Sequence, residues 1–168
     1  GCYDGGLEIY DHRNKQVRNV RVWPEAGYGW APADLAVRWH WNFPIHISPH
    51  DSDVVYVGSQ FVHRTENGGH SWDAISPDLT LNLKDHQQSS GGVAIDNLMT
   101  YDGSLVFAIA ESPLEQGTIW VGTNDGQVQL TRDAGATWTN LTENIEGVPA
   151  WGTIANVEPS RFDAGTAY

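Results

Sequence analysis

The stretch Thr65-Glu66-Asn67-Gly68-Gly69-His70-Ser71-Trp72 returns 66 residues later as Thr131-Arg132-Asp133-Ala134-Gly135-Ala136-Thr137-Trp138. Both copies read Ser/Thr-x-Asp/Asn-x-Gly-x-Ser/Thr-Trp. Each residue type has a use in a tight hairpin. The carboxamide of Asn67 and the carboxylate of Asp133 can accept hydrogen bonds from the N–H groups of their own turn. The hydroxyls of Thr65, Ser71, Thr131 and Thr137 can add further local bonds. Gly69 and Gly135 permit backbone angles that cost other residues more. Trp72 and Trp138 then open a strand and offer a large ring to bury between neighbouring sheets. These residues are accordingly read as parts of a turn and its packing, not as catalytic groups.

The repeat continues on both sides of the hairpin. Ser48-Pro49 aligns with Ser112-Pro113, and Val55-Tyr56-Val57-Gly58 with Ile119-Trp120-Val121-Gly122. Downstream, Trp72-Asp73-Ala74-Ile75-Ser76 aligns with Trp138-Thr139-Asn140-Leu141-Thr142. Each repeat reads as four short strands, at 45–48, 54–59, 61–65 and 71–76, then at 105–111, 118–123, 127–131 and 137–141. Val55 and Val57, like Ile119 and Val121, show the alternation of a half-buried strand. Asn124-Asp125-Gly126 has the chemistry of a hairpin turn.

Repeated four-stranded units of this kind are propeller blades. The chain is therefore expected to be all-β, a β-propeller fragment of four-stranded antiparallel blades. Residues 1–23 are expected to end one blade and 24–44 to form an insertion. Residues 45–76 form a full blade, 77–104 a second insertion, 105–142 another full blade, and 151–168 the start of the next, with strands at 152–157 and 166–168. Propellers close with about four to eight blades. The chain is therefore expected to belong to a larger protein, and the rest of that propeller is its first partner.

Composition agrees with this reading. The 168 residues include 18 Gly, 8 Pro and 8 Trp, as suits a chain of short strands and many turns. The net charge is −12, which argues against nucleic acid or an anionic membrane as a partner, because both call for a cationic surface. Cys2 is the only cysteine, so no disulfide forms within the chain. No apolar run approaches the ~20 residues that span a bilayer.

The repeated hairpin resembles that of the BNR/Asp-box proteins, which include sialidases, xyloglucanase-type glycoside hydrolases and sortilin-type receptors. Arg38-Trp39-His40-Trp41-Asn42-Phe43-Pro44-Ile45, Ile47-Ser48-Pro49-His50-Asp51 and Ser76-Pro77-Asp78-Leu79-Thr80 resemble the sortilin-like propeller proteins of bacteria, commonly labelled glycosyl hydrolase. The resemblance runs along the whole chain. It implies Asp-box hairpins between the third and fourth strands of each blade, and a secreted or periplasmic location. It carries over no catalytic set. The Arg-Ile-Pro segment of sialidases does not occur, and no acidic pair of the xyloglucanase kind aligns.

The least repetitive stretch, 24–44, supplies the candidate ligand-binding residues Trp30, Trp39, His40, Trp41 and Phe43. Such rings can stack on sugars or grip a peptide from loops held by a rigid scaffold. Glycosidic hydrolysis instead needs two carboxylates ~5–9.5 Å apart. Asp34, Asp96 and Glu111 are the candidates outside obvious turns. His40, His46 and His50 lack metal-ligand spacing, and no phosphate or dinucleotide loop occurs, so neither metal nor cofactor is expected. Three functions stay open. The first is a sortilin-like binding propeller for a peptide or protein. The second is part of a glycoside hydrolase acting on polysaccharide through paired carboxylates. The third is a structural module whose interactions are made elsewhere.

Overall fold

A computed structural model describes residues 1–89, 91 and 104–168. Strands β1 (Glu8–Asp11) and β2 (Gln16–Asn19) form a two-stranded antiparallel sheet. A second sheet contains β3 (Ile45–Ile47), β4 (Val55–Gly58), β5 (Val62–Thr65) and β6 (Asp73–Ala74). A third contains β7 (Val106–Glu111), β8 (Ile119–Thr123), β9 (Val128–Thr131) and β10 (Thr139–Asn140). In both four-stranded sheets every strand pairs antiparallel with the next in sequence. Helix is confined to three short 3-10 turns among the described residues. The sheets are not closed on one another.

The strands of the second and third sheets lie within the segments that alternation and turn residues marked out. The outermost are shorter than expected: β6 and β10 keep two residues each, both exposed. The middle strands carry the packing. All five residues of β8 are buried, because that strand is covered on both faces.

Three apolar layers lie between successive elements. Leu7, Val20, Trp39 and Val57 join the first sheet to the second. Tyr56, Val62, Val106, Ile119 and Val121 join the second to the third. Ala108, Trp120, Leu130 and Val157 fill the far side of the third, with Ile154 and Ala167 packed on them.

The C-terminal segment differs from expectation. No strand forms at 152–157; the one bridge there pairs Pro159 with Ala167, and Glu158 and Tyr168 exchange backbone hydrogen bonds at 2.9 Å. Residues 152–157 join no β-ladder. They lie along the third sheet, where the Ile154 amide donates to Thr123 O at 3.0 Å.

That segment nevertheless repeats a turn seen twice before. Ser112 N donates to Thr118 O at 2.8 Å and Ser160 N to Thr166 O at 2.9 Å, while Ser48 N donates to Val54 O at 3.0 Å. In each turn the serine hydroxyl accepts the amide two residues on, from His50, Leu114 or Phe162.

Candidate functional site

The two repeated hairpins carry nearly the same bonds. Thr65 Oγ1 accepts the Gly69 amide at 2.9 Å, and Asn67 Oδ1 accepts the Ser71 amide at 3.0 Å. Thr131 Oγ1 accepts Gly135 N at 3.0 Å, and Asp133 Oδ1 accepts Thr137 N at 2.8 Å. Gly69 and Gly135 have φ of 74° and 98°, so each turn needs the left-handed backbone. The charge makes one difference. Asn67 donates from Nδ2 to Ser71 Oγ, whereas Asp133 accepts from Thr137 Oγ1. The Thr137 bonds hold the Asp133 carboxyl down at about 2. Trp72 and Trp138 are half-buried, each with its indole N–H bound to the preceding sheet.

The aromatic candidates of 24–44 separate into two groups. Trp39 is 3% exposed, edge-on to Phe43 at 5.2 Å and stacked on His63 at 5.8 Å. A Cβ on Gly5 would stand 2.5 Å from the Trp39 ring, so glycine there is what lets the first sheet close over the indole. Trp39 therefore packs inside the molecule, and Phe43 half-covers it. His40 sits edge-on to Phe107 at 5.1 Å, and burial pushes its pKa down.

The outward-facing rings are Trp30, 60% exposed, and Trp41, 39% exposed. Trp41 lies against Tyr3 with ring centres 3.8 Å apart, beside a shallow cleft of about 400 Å³. Tyr28 is exposed as well.

Buried polar contacts fasten both insertions, 24–44 through Arg38 and 77–104 through Asp125, and spacing alone did not reveal them. Arg38 is 4% exposed and donates to Asp78 Oδ2 at 2.6 Å, forty residues away, and to Ser104 O at 3.3 Å. Its amide donates to Gln60 Oε1 at 2.8 Å. Asp125, from the β8–β9 turn, is fully buried; its Oδ2 accepts the amides of Leu81 and Ser104. Both aspartates stand in turn-like stretches of sequence, where local reading gives them only turn roles.

The acidic candidates do not come together. Asp34 is exposed at the end of the 3-10 turn Pro32–Asp34. Asp96 lies outside the described residues. Glu111 ends β7 at 3% exposure, and its Oε1 accepts the Gly117 amide at 2.7 Å. Oε2 is sealed from solvent without a hydrogen bond of ordinary geometry. The Tyr56 hydroxyl is close enough that burial and the Glu111 carboxylate together raise its pKa.

His46 accepts the Glu111 amide on Nε2 at 3.1 Å. Burial lowers its pKa while Glu111 pulls the other way. Glu111 and His46 line a groove of about 430 Å³. The groove's second carboxylate is Glu158, which alternation did not single out, and Asp34 is not among its walls. Among the described residues no group of His, Cys, Asp or Glu is arranged to hold a metal ion, and no helix is long and apolar enough to cross a membrane.

No protein-family model matches the chain. It is similar to an oligoxyloglucan-reducing end-specific xyloglucanase of Emericella nidulans, 23% identical over 153 residues. The aligned part covers 84% of this chain and 17% of that protein, so the chain spans a small fraction of its relative's length. The relationship is a distant one, to a glycoside hydrolase, on an all-β framework.

Proposed function

We propose that this chain is a section of an Asp-box β-propeller in an exported protein, and that the section presents an aromatic surface to a polysaccharide. The observation that carries the scaffold half is the doubled docking of the box tryptophans, Trp72 on Val20 and Trp138 on Ile75, both at 2.9 Å. Flat rings exposed at Trp30, Trp41 and Tyr28 suit the apolar faces of sugars. The similarity to a xyloglucanase favours a polysaccharide of the xyloglucan kind over a peptide as the ligand. Hydrolysis by acids of this section is the less supported reading. Glu111 is 3% exposed with Oε1 bound to a backbone amide, and Asp34 is not among the walls of the groove that Glu111 lines.

Affinity electrophoresis in gels containing xyloglucan tests the proposal, with gels lacking the polymer and a reducing-end assay alongside. Retardation that weakens in Trp30→Ala and Trp41→Ala, with no new reducing ends, is expected. Equal mobility with and without xyloglucan would remove the ligand half. New reducing ends lost in Glu111→Gln would restore the hydrolase.

A further inference from the structure

Two histidines of the second sheet and its following turn hold successive residues at the end of β7. His46 Nε2 accepts the Glu111 amide at 3.1 Å, and His50 Nε2 lies 2.8 Å from Ser112 O. A carbonyl can only accept, so His50 carries a proton on Nε2. An amide can only donate, so His46 Nε2 must keep its lone pair and the neutral ring carries its proton on Nδ1. The two contacts therefore answer acid differently. A charged His50 still donates to Ser112, whereas a charged His46 sets one N–H against another.

The Glu111 amide is placed for this partner by the ladder itself. Ser112 N donates to Thr118 O, so by antiparallel alternation the amide one residue earlier points away from β8. The repeat does not keep the contact. Ala110 stands two residues before Ser112, where His46 stands two before Ser48, and Pro159 precedes Ser160, where Glu111 precedes Ser112. The alanine side chain cannot accept, and proline has no N–H to give. The repeat therefore does without this bond, which here stands in addition to the apolar layer of Tyr56, Ile109 and Ile119.

The titratable and charged groups around the ring are Glu111 on β7, Tyr56 on β4, and Glu158 and Arg161 in the groove wall, with Arg64 and Glu66 acting on the Tyr56 phenol. Tyr56 stacks on His46 with ring centres 6.3 Å apart. Burial holds the His46 pKa below its ordinary value, and Glu111 draws it up. That carboxylate has an oxygen to offer, since Oε2 makes no hydrogen bond of ordinary geometry.

We propose that His46 is a proton-operated latch between the second and third sheets. Neutral, it holds the Glu111 amide. On taking a proton at Nε2 it lets that amide go and turns toward the Glu111 carboxylate, loosening β3 from β7 along the groove. His50 stays on Ser112 and confines the opening to that edge. The latch requires neither a polysaccharide ligand nor a propeller. A histidine whose folded pKa is lowered stabilises the protein above its ordinary value and loses that contribution as the pH falls below it. The latch is thus shut at neutral pH and released below about 6.5.

Hydrogen exchange at single amides of the full chain tests the latch. Protection of the Glu111 amide, corrected for intrinsic exchange, should be level above about pH 7. Below about pH 6.5 it should fall by up to about tenfold per pH unit, the slope of a one-proton step. The Ser112 amide, bonded to Thr118 O, should show no such fall. His46→Gln puts an oxygen that does not titrate in place of Nε2, and Glu111 protection should then stay level. His63→Gln should keep the wild-type slope. In NMR spectra of the imidazole nitrogens, the His46 midpoint should drop in Glu111→Gln.

A Glu111 slope that persists in His46→Gln, or one shared equally by Ser112, overturns the proposal. So does an unchanged His46 midpoint in Glu111→Gln. If His46→Gln does not fold, level protection of Glu111 in the wild-type chain across the same range overturns it alone.

Discussion

The indole N–H of Trp138 donates to the carbonyl of Ile75 at 2.9 Å across 63 residues of sequence, joining the repeated hairpin of the third sheet to the residue that follows β6 in the second. The ring packs on the apolar layer that contains Tyr56, Val62 and Ile119. A half-buried ring of this kind contributes both area and a hydrogen bond. Trp138→Ala is expected to cost roughly 2–4 kcal/mol in urea denaturation, toward the low end of large-to-small losses because the ring is not fully covered. Trp138→Phe should cost about half as much, since packing stays and the bond to Ile75 goes. Indistinguishable midpoints for wild type and Trp138→Ala would contradict the docking role.

The two repeated hairpins differ in charge, and acid should tell them apart. Asp133 is held down at about 2 from 3.8, chiefly by the Thr137 hydroxyl and amide. A carboxyl depressed on folding stabilises the protein above its ordinary value, and that contribution is lost as the pH falls through about 2. Asp133→Asn, which copies Asn67, should keep the turn and flatten the acid limb between pH 4 and pH 2. Parallel acid-unfolding curves for the two proteins would show that Asp133 is not the titrating group.

His63 should act in a higher window. The ring is 5% exposed, its Nε2 lies 2.8 Å from Ser59 Oγ, and burial pushes its pKa down to about 4. An unfolded histidine titrates near ~6.5, so the unfolded chain takes up the proton first as the pH falls. Stability is full above ~6.5 and is lost toward pH 4, by on the order of 3 kcal/mol. His63→Gln should lower stability at neutral pH and remove most of that slope, read by urea midpoints at successive pH values. A slope unchanged in His63→Gln would assign it to another group.

The Arg38–Asp78 pair ties the insertion before β3 to the segment after β6. Arg38 is nearly sealed, while the Asp78 side chain keeps 22% exposure. Arg38→Ala leaves Gln60 and Ser104 in place and strips Asp78 of its cation, so a loss of about 3 kcal/mol is expected. Asp78→Asn should cost a similar amount, because one amide oxygen cannot accept from both Arg38 and Thr80 and the nearly sealed guanidinium loses its anion. Faster hydrogen exchange at Leu79 and Leu81 in Arg38→Ala would mark the insertion as the part released, and unchanged exchange there would place the pair's effect elsewhere.

Much of the β framework was legible because its signals are local. A two-residue alternation, the Asn124-Asp125-Gly126 turn and a box whose side chains bond their own backbone all act within a few residues. The Thr131–Asp133–Thr137 bonds span four residues or fewer, so spacing alone anticipates them. The strand expected at 152–157 failed for the opposite reason. A strand's partners lie far away in sequence, and these residues instead lie along the third sheet, with the Ile154 amide on Thr123 O.

The candidate site was less legible. Trp39 and Trp41 stand two residues apart with the same side chain, yet one fills the core and the other faces solvent. Nothing in their types separates them; the close approach at Gly5 and the stack on His63 do. Glu111 ends β7, but its Oε1 is taken by the Gly117 amide in the β7–β8 turn. The repeat, the box turns and the alternating strands are written in the chain itself, since these depend on neighbours within a few bonds. Which rings are covered, which carboxylates are satisfied and which carbonyl each tryptophan reaches were settled by packing, because those depend on groups brought together from up to 63 residues away.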